Sequence, residues 1–154
     1  MGKSLETSKG SVWAQFLTAH AVLVEEIEVR LADAGLPSLA WYDVLWALER
    51  AGDRRLRMRE LADMAVISRS NLTRLVDRLE AAGLVERERA EEDRRGAFAV
   101  VTVEGRALRK KMWPAYSAAI KELFEDHITE RDAAQMGDIL RRVVEGVRNT
   151  DAEE

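Results

Sequence analysis

Between Ser68 and Arg78 the chain reads Ser-Arg-Ser-Asn-Leu-Thr-Arg-Leu-Val-Asp-Arg. Leu72, Leu75 and Val76 recur at helical spacing, which places Arg69, Ser70, Asn71, Thr73, Arg74 and Arg78 on the opposite face. A guanidinium can bond guanine O6 and N7 together, and an asparagine amide can do the same with adenine N6 and N7. Ser68, Ser70 and Thr73 carry short hydroxyls suited to helix capping or phosphate contact. A second cluster, Asp93-Arg94-Arg95, lies in a charged connection. An arginine projected from such a tip can enter a narrow minor groove, where the negative potential is deepest. These groups suit duplex DNA. Their plainer reading is a solvated helix face, with Arg78 paired to Asp77 or Glu80, and ordinary turn chemistry at Asp93 to Arg95.

A third group is aromatic. Trp13, Phe16, Trp41, Tyr42, Trp46 and Trp113, with His20, form an unusual set outside the arginine-bearing stretch. They could pack the core and an intermolecular interface. They could also wall an apolar pocket, with Asp43 as its polar group, for a small aromatic or phenolic anion.

Other chemistries find no support. There are no cysteines and only two histidines, His20 and His127, so thiol nucleophiles, disulfides and thiolate metal sites are excluded. No glycine-rich phosphate loop, metal-ligand cluster or nucleophile–base pair is present, so neither enzyme activity nor a metal or other cofactor is expected. The net charge of −4 conceals an asymmetry. Residues 54–111 hold 15 Lys and Arg against 10 Asp and Glu, or +5, while the remainder carries −9. A basic middle between acidic ends fits one surface built for a polyanion. No run reaches 18 apolar residues, and the N-terminus lacks an apolar signal core, so a cytoplasmic protein without a membrane partner is expected.

These groups must be held by elements. Val12, Phe16, Ala19, Leu23, Ile27 and Leu31 predict one buried face of a helix over 11–34, stopped by Gly35. A short, densely apolar helix follows over 39–50, and residues 55–57 form a brief extended stretch. A two-turn helix over 58–65, a turn, and a helix capped by Ser68 and ended by Gly83 make a helix-turn-helix. Residues 84–89 and 98–101 read as a β-hairpin around the polar tip 90–96. Thr102 caps a long helix from Glu104 to about Asp126, with a kink at the internal Pro114. Thr129 and Asp132 begin a last helix lined by Met136, Ile139, Leu140, Val143 and Val147, with a frayed tail from Asn149.

The run RELADMAVISRSNLTRLVDRLEAAGLVERE, followed by DRRGAFAVVTVEG, resembles the winged helix-turn-helix of the MarR (multiple antibiotic resistance regulator) family. The family's Asp-x-Arg wing tip, and the Thr that opens the next helix, fall on Asp93, Arg95 and Thr102 without a gap. The resemblance implies that Arg95 enters the minor groove while Asp93 orients it, that the terminal helices dimerise, and that a small ligand binds between the dimerisation and DNA-binding parts. The urate-responsive branch has an acidic residue at the place of Asp43 and an arginine at that of Arg87. Its recognition-helix arginine, however, falls on Leu75.

The expected fold is mainly α with a small β-hairpin wing. It comprises a polar disordered tail over 1–10, a helical dimerisation region over 11–36 and 104–148, and a winged helix-turn-helix over 37–103, all in one structural domain. The expected function is a homodimeric, ligand-responsive repressor that binds double-stranded DNA at a pseudo-palindromic operator. The rival is a winged helix that binds protein instead.

Overall fold

The computed structural model describes residues 9–65, 67–89 and 96–151. In chain order the elements are α1 (Lys9–Asp33), α2 (Leu39–Arg50), β1 (Arg55–Arg57), α3 (Met58–Ala65), α4 (Arg69–Ala81), β2 (Val85–Arg89), β3 (Ala97–Val101), α5 (Val103–Leu123), a 3-10 turn (Glu125–His127) and α6 (Glu130–Asp151). They fall into two units that meet within α5, one up to residue 117 and one from 118 onward.

The first unit is built around α2. Val44, Leu45 and Leu48 are fully buried and join Leu61 of α3, Leu72, Val76 and Leu79 of α4, Val85 of β2 and Ala99 of β3 in one cluster. Each such side chain contributes about 1.5–3 kcal/mol by leaving water. The extended stretch 55–57 is not isolated, because it pairs antiparallel with β3 and makes the wing a three-stranded sheet of order β1-β3-β2. Leu56 opposite Ala99 turns to the core, so Arg57 opposite Phe98 lies on the other face. A slip of one residue would exchange these faces.

The end of α4 is fastened to the start of α5. Gly83 adopts φ +75°, the left-handed conformation that closes a helix. The Thr102 hydroxyl donates to the Gly83 carbonyl at 2.8 Å and accepts from the Gly105 N–H at 3.0 Å. The Thr102 N–H donates to the Leu84 carbonyl at 3.1 Å. Gly105 is backed so closely on this junction that a Cβ there would strike the Leu84 carbonyl oxygen, 2.9 Å from Val101 Cγ2 and 3.1 Å from Leu45 Cδ2. The Thr-x-x-Gly spacing therefore serves close approach as well as capping.

Several expectations need correction. The stripe on α1 is buried only at Ile27 and Leu31, whereas Val12 is 57% and Phe16 46% exposed, because none of the described elements covers its N-terminal half. Lys9 and Gly10 belong to the helix, so the polar tail is shorter than ten residues, and positions 1–8 lie outside the described residues. The helix α5 continues through Pro114 but stops at Leu123, where the 3-10 turn takes over. In the second unit, the Asp132 carboxylate accepts from the Thr129 N–H at 2.9 Å while the Thr129 hydroxyl accepts from the Asp132 N–H at 3.1 Å, the expected reciprocal cap. These bonds from Thr129 hold the Asp132 carboxyl below its ordinary pKa. The helix they start runs to Asp151, beyond the expected fraying point.

Gly105→Ala is expected to destabilise the protein by about 2 kcal/mol or more, since a backbone carbonyl cannot move aside as a flexible side chain would. Thermal melting should show a fall of at least about 5 °C. An unchanged midpoint would mean that the junction is looser than its geometry indicates.

Candidate nucleic-acid interface

The recognition surface starts with the local chemistry of α4. The Ser68 hydroxyl accepts from the Asn71 N–H at 3.4 Å and so caps the helix. Leu72, Leu75, Val76 and Leu79 anchor one face in the core, leaving Arg69, Ser70, Asn71, Thr73, Arg74 and Arg78 exposed on the other, as the spacing predicts. Ser68 thus takes the capping role. The Thr73 hydroxyl donates to the Arg69 carbonyl at 3.0 Å, so its proton is committed within the helix. Asp93, Arg94 and Arg95 lie outside the described residues.

Asp77 and Glu80, the suggested partners of Arg78, turn instead to Arg87 of β2. Arg87 Nη1 lies 2.7 Å from Asp77 Oδ1 and 3.2 Å from Glu80 Oε1, and Nη2 donates to the Thr73 carbonyl at 3.3 Å. The Arg87 N–H adds a bond to Glu80 Oε2 at 3.0 Å. One guanidinium therefore ties the wing strand to two turns of the recognition helix. In this chain Arg87 has a fastening role. A basic residue facing acids spaced three apart on the preceding helix was the available signal.

The six residues considered for an effector pocket do not converge within the chain. Trp13 and Phe16 meet each other on exposed α1, with ring centroids 6.2 Å apart. His20 is exposed on the same helix. Glu28 is the α1 group whose charge acts on Asp43, and it also caps α2 by accepting from the Leu39 N–H at 2.7 Å. Trp13 stands 15 residues before Glu28, about 22 Å along the helix axis. Trp41 packs partly buried against the core, and Arg87 is engaged with α4.

Two aromatic residues singled out from the sequence, Tyr42 and Trp113, do gather beside Asp43, together with Tyr116. The Tyr42 ring lies 4.9 Å from Tyr116 and 6.0 Å from Trp113, the latter pair stacked. Burial, and then the charge of Glu28, push the Asp43 carboxyl up to about 6. Burial also raises the Tyr116 phenol, helped by Asp43 and Tyr42. Nearby, the Arg109 guanidinium binds the Glu49 carboxylate, with Nη2 to Oε1 at 3.2 Å, and lies over the Trp46 ring at 4.9 Å. Burial disfavours the Arg109 charge, but Glu49 and Tyr42 outweigh it and the pKa is raised.

Comparison with known proteins places this geometry. The sequence pattern of the MarR family matches residues 34–96, from the start of α2 to the wing. The fold is similar to that of AbsC, a MarR family transcriptional regulator from Streptomyces coelicolor, at a TM-score of 0.81 and 31% identity, covering 93% of this chain and 96% of the other. The chain belongs to the MarR family. A second member, Sco3205 from the same organism, was solved in complex with DNA; the two share 38% identity with a TM-score of 0.79 over 88% of this chain and 84% of that one. The HTH-type transcriptional repressor YetL of Bacillus subtilis is 29% identical over 105 residues, which span 66% of this chain and 63% of YetL. The MarR family pattern thus covers α2, β1, α3, α4 and β2, the elements that position the exposed face described above. Among the described residues, no helix of this MarR family member is long and apolar enough to cross a membrane, and no cluster of three or more His, Asp or Glu could hold a metal ion.

Two measurements test this part of the structure. Glu80→Gln and Arg87→Gln, alone and combined in a denaturation cycle, should show a coupling of about 0.5–1.5 kcal/mol, reduced by partial solvent exposure; additive effects would dissolve the fastening. For Asp43 the sign follows from the raised pKa. The native state holds the proton more tightly than the unfolded chain, so the stability it contributes is complete below about pH 4 and is lost as pH rises through about 6. Asp43→Asn should therefore stabilise at pH 7.5 by about 1 kcal/mol, after allowing for partial hydration, and by almost nothing at pH 4. An equal effect at both values would contradict this environment.

Proposed function

We propose that the protein is a sequence-specific, double-stranded-DNA-binding transcriptional repressor that works as a homodimer in the cytoplasm by binding rather than by catalysis. The observation that carries this reading is the exposed face of α4. Arg69, Asn71, Arg74 and Arg78 stand outside a helix whose other face is locked into the core. Such a helix fits the major groove, where each base pair offers a distinct pattern of donors and acceptors. The DNA complex of Sco3205 and the repressor name of YetL support the same reading.

Dimerisation is supported by apolar rows that the single chain leaves exposed. On α1 these are Val12, Trp13, Phe16 and Leu17, and on α6 Met136, Ile139, Leu140, Val143 and Val147. Patches of this kind mark interaction surfaces. A two-fold dimer would set two recognition helices about 34–36 Å apart, one turn of DNA. Residues 37–103 would then be the DNA-binding part, with the helices on either side forming the dimer. Asp93, Arg94 and Arg95 would serve the minor groove. A small aromatic or phenolic anion remains the proposed class of effector, and the exposed Trp113 and half-buried Tyr116 rings, packed on buried Tyr42 beside Asp43, are the aromatic surface offered to it. Such a ligand acts only through unequal affinity for the DNA-competent and incompetent spacings.

Selection of bound duplexes from a random library should yield a palindromic consensus. Asn71→Ala should then change base preference at one position in each half-site, and Arg95→Ala should weaken all sequences alike and lower the salt slope by about 1. Absence of any enriched duplex would favour the protein-binding alternative.

A further inference from the structure

Beside the recognition helix lies a cavity of about 370 Å³ that shares Arg69 and Thr73 with the exposed face of α4 and is otherwise built mostly from other elements. Arg57 at the end of β1, Arg59 in the first turn of α3, Arg69 and Thr73 on α4, and Gly96 and Ala97 at the root of the wing line it. Three guanidinium-bearing residues from three elements therefore converge there, and no Asp or Glu is among its described lining residues. Its polar lining is cationic in effect, because the Thr73 hydroxyl proton is engaged with the Arg69 carbonyl.

The arginines are also held in place. Arg57 lies with its guanidinium carbon 5.1 Å from the Phe98 ring centroid, and Arg55 lies over the same ring at 4.6 Å. The Arg57 backbone N–H donates to Glu60 Oε2 at 3.0 Å, which fixes the junction between β1 and α3. Stacking on an aromatic face restrains a guanidinium. Because β1 is bonded to β3, the same strand pair that carries the wing also carries Arg57. The cavity is thus walled by α4 and by the root of the wing.

We infer that this cavity is a seat for one phosphate of the DNA backbone, formed by Arg57, Arg59 and Arg69. It rests on the reading of the protein as a DNA-binding regulator and extends it beyond the recognition helix and wing tip. The seat sets register without reading sequence, since phosphate contacts carry position and base edges carry identity. Arg59 and Arg57 are its discriminating members, because neither lies on the base-reading face of α4.

The test is an anisotropy titration of a duplex selected by the wild-type protein, and of an unrelated duplex, across a salt series. It uses the full chain with Arg57→Gln, Arg59→Gln, Arg59→Lys and, as a control away from the seat, Arg131→Gln. Melting curves verify folding of each variant. Each glutamine variant should bind both duplexes about threefold to tenfold more weakly and lower the slope of log K against log salt by about 0.9, one released phosphate contact. Arg59→Lys should retain the slope, and Arg131→Gln should match the wild type. A wild-type slope in both glutamine variants, or a loss confined to the selected duplex, would overturn the seat while leaving DNA binding intact. Failure of the wild-type protein to bind any duplex would overturn both readings. Inorganic phosphate, followed by NMR of the arginine Nε–Hε groups, supplies the last arm. Saturable binding lost in Arg59→Gln, together with an unchanged duplex slope, would reassign the seat to a free oxyanion and overturn the DNA assignment.

Discussion

A winged helix can read DNA only if its recognition helix and its wing keep a fixed relation, and here that relation depends on one guanidinium. Arg87 reaches Asp77, Glu80 and the Thr73 carbonyl from strand β2, which is paired to β3. The contact is partly exposed, so its contribution to global stability is modest. Its geometric effect is larger. It joins the C-terminal half of α4 to β2, while the Thr102 and Gly105 junction joins the end of that helix to α5. Helix α4, strand β2 and the first turn of α5 are therefore joined by side-chain as well as main-chain bonds.

The rest of the first unit can be read as support for that piece. The buried leucines of α4 leave its arginines no choice of face. Leu56 and Ala99 fix the sheet register, which in turn places Arg57 beside Phe98. The acids of α4 that would otherwise neutralise its own arginines are drawn to the rear by Arg87. The net −4 of the chain thus says little about the recognition face, where position decides which charges a polyanion meets.

Much of this was legible in the sequence. Helical spacing located α2, α3 and α4 almost to the residue, because Gly52, Ser68 and Gly83 punctuate them with turn and cap chemistry that local physics dictates. The Thr129 and Asp132 cap was legible for the same reason. What escaped depends on contacts between distant segments. The extended stretch Arg55–Arg57 was legible, but its pairing with β3, more than forty residues later, was not. The role of Arg87 is invisible without knowing that β2 folds back along α4. Periodicity likewise marks a helix as amphipathic without saying what covers it, so the stripe on α1 looked like core when only Ile27 and Leu31 are buried.

The cap on α2 has a consequence for how this fold can be divided. Leu39, the first residue of α2, gives its N–H to Glu28, eleven positions earlier on α1, and Ser38 makes no side-chain cap of its own. Leu31, on the same helix, is almost wholly buried. The central helix of the DNA-reading half is therefore completed by a residue that belongs to its neighbour. A fragment beginning at residue 34, where the family pattern begins, would keep every base-reading side chain yet lose this carboxylate and its buried leucine. In this chain the recognisable module is smaller than the set of residues that completes its central helix, and a graft of the winged part that keeps this cap carries the last turns of α1 with it.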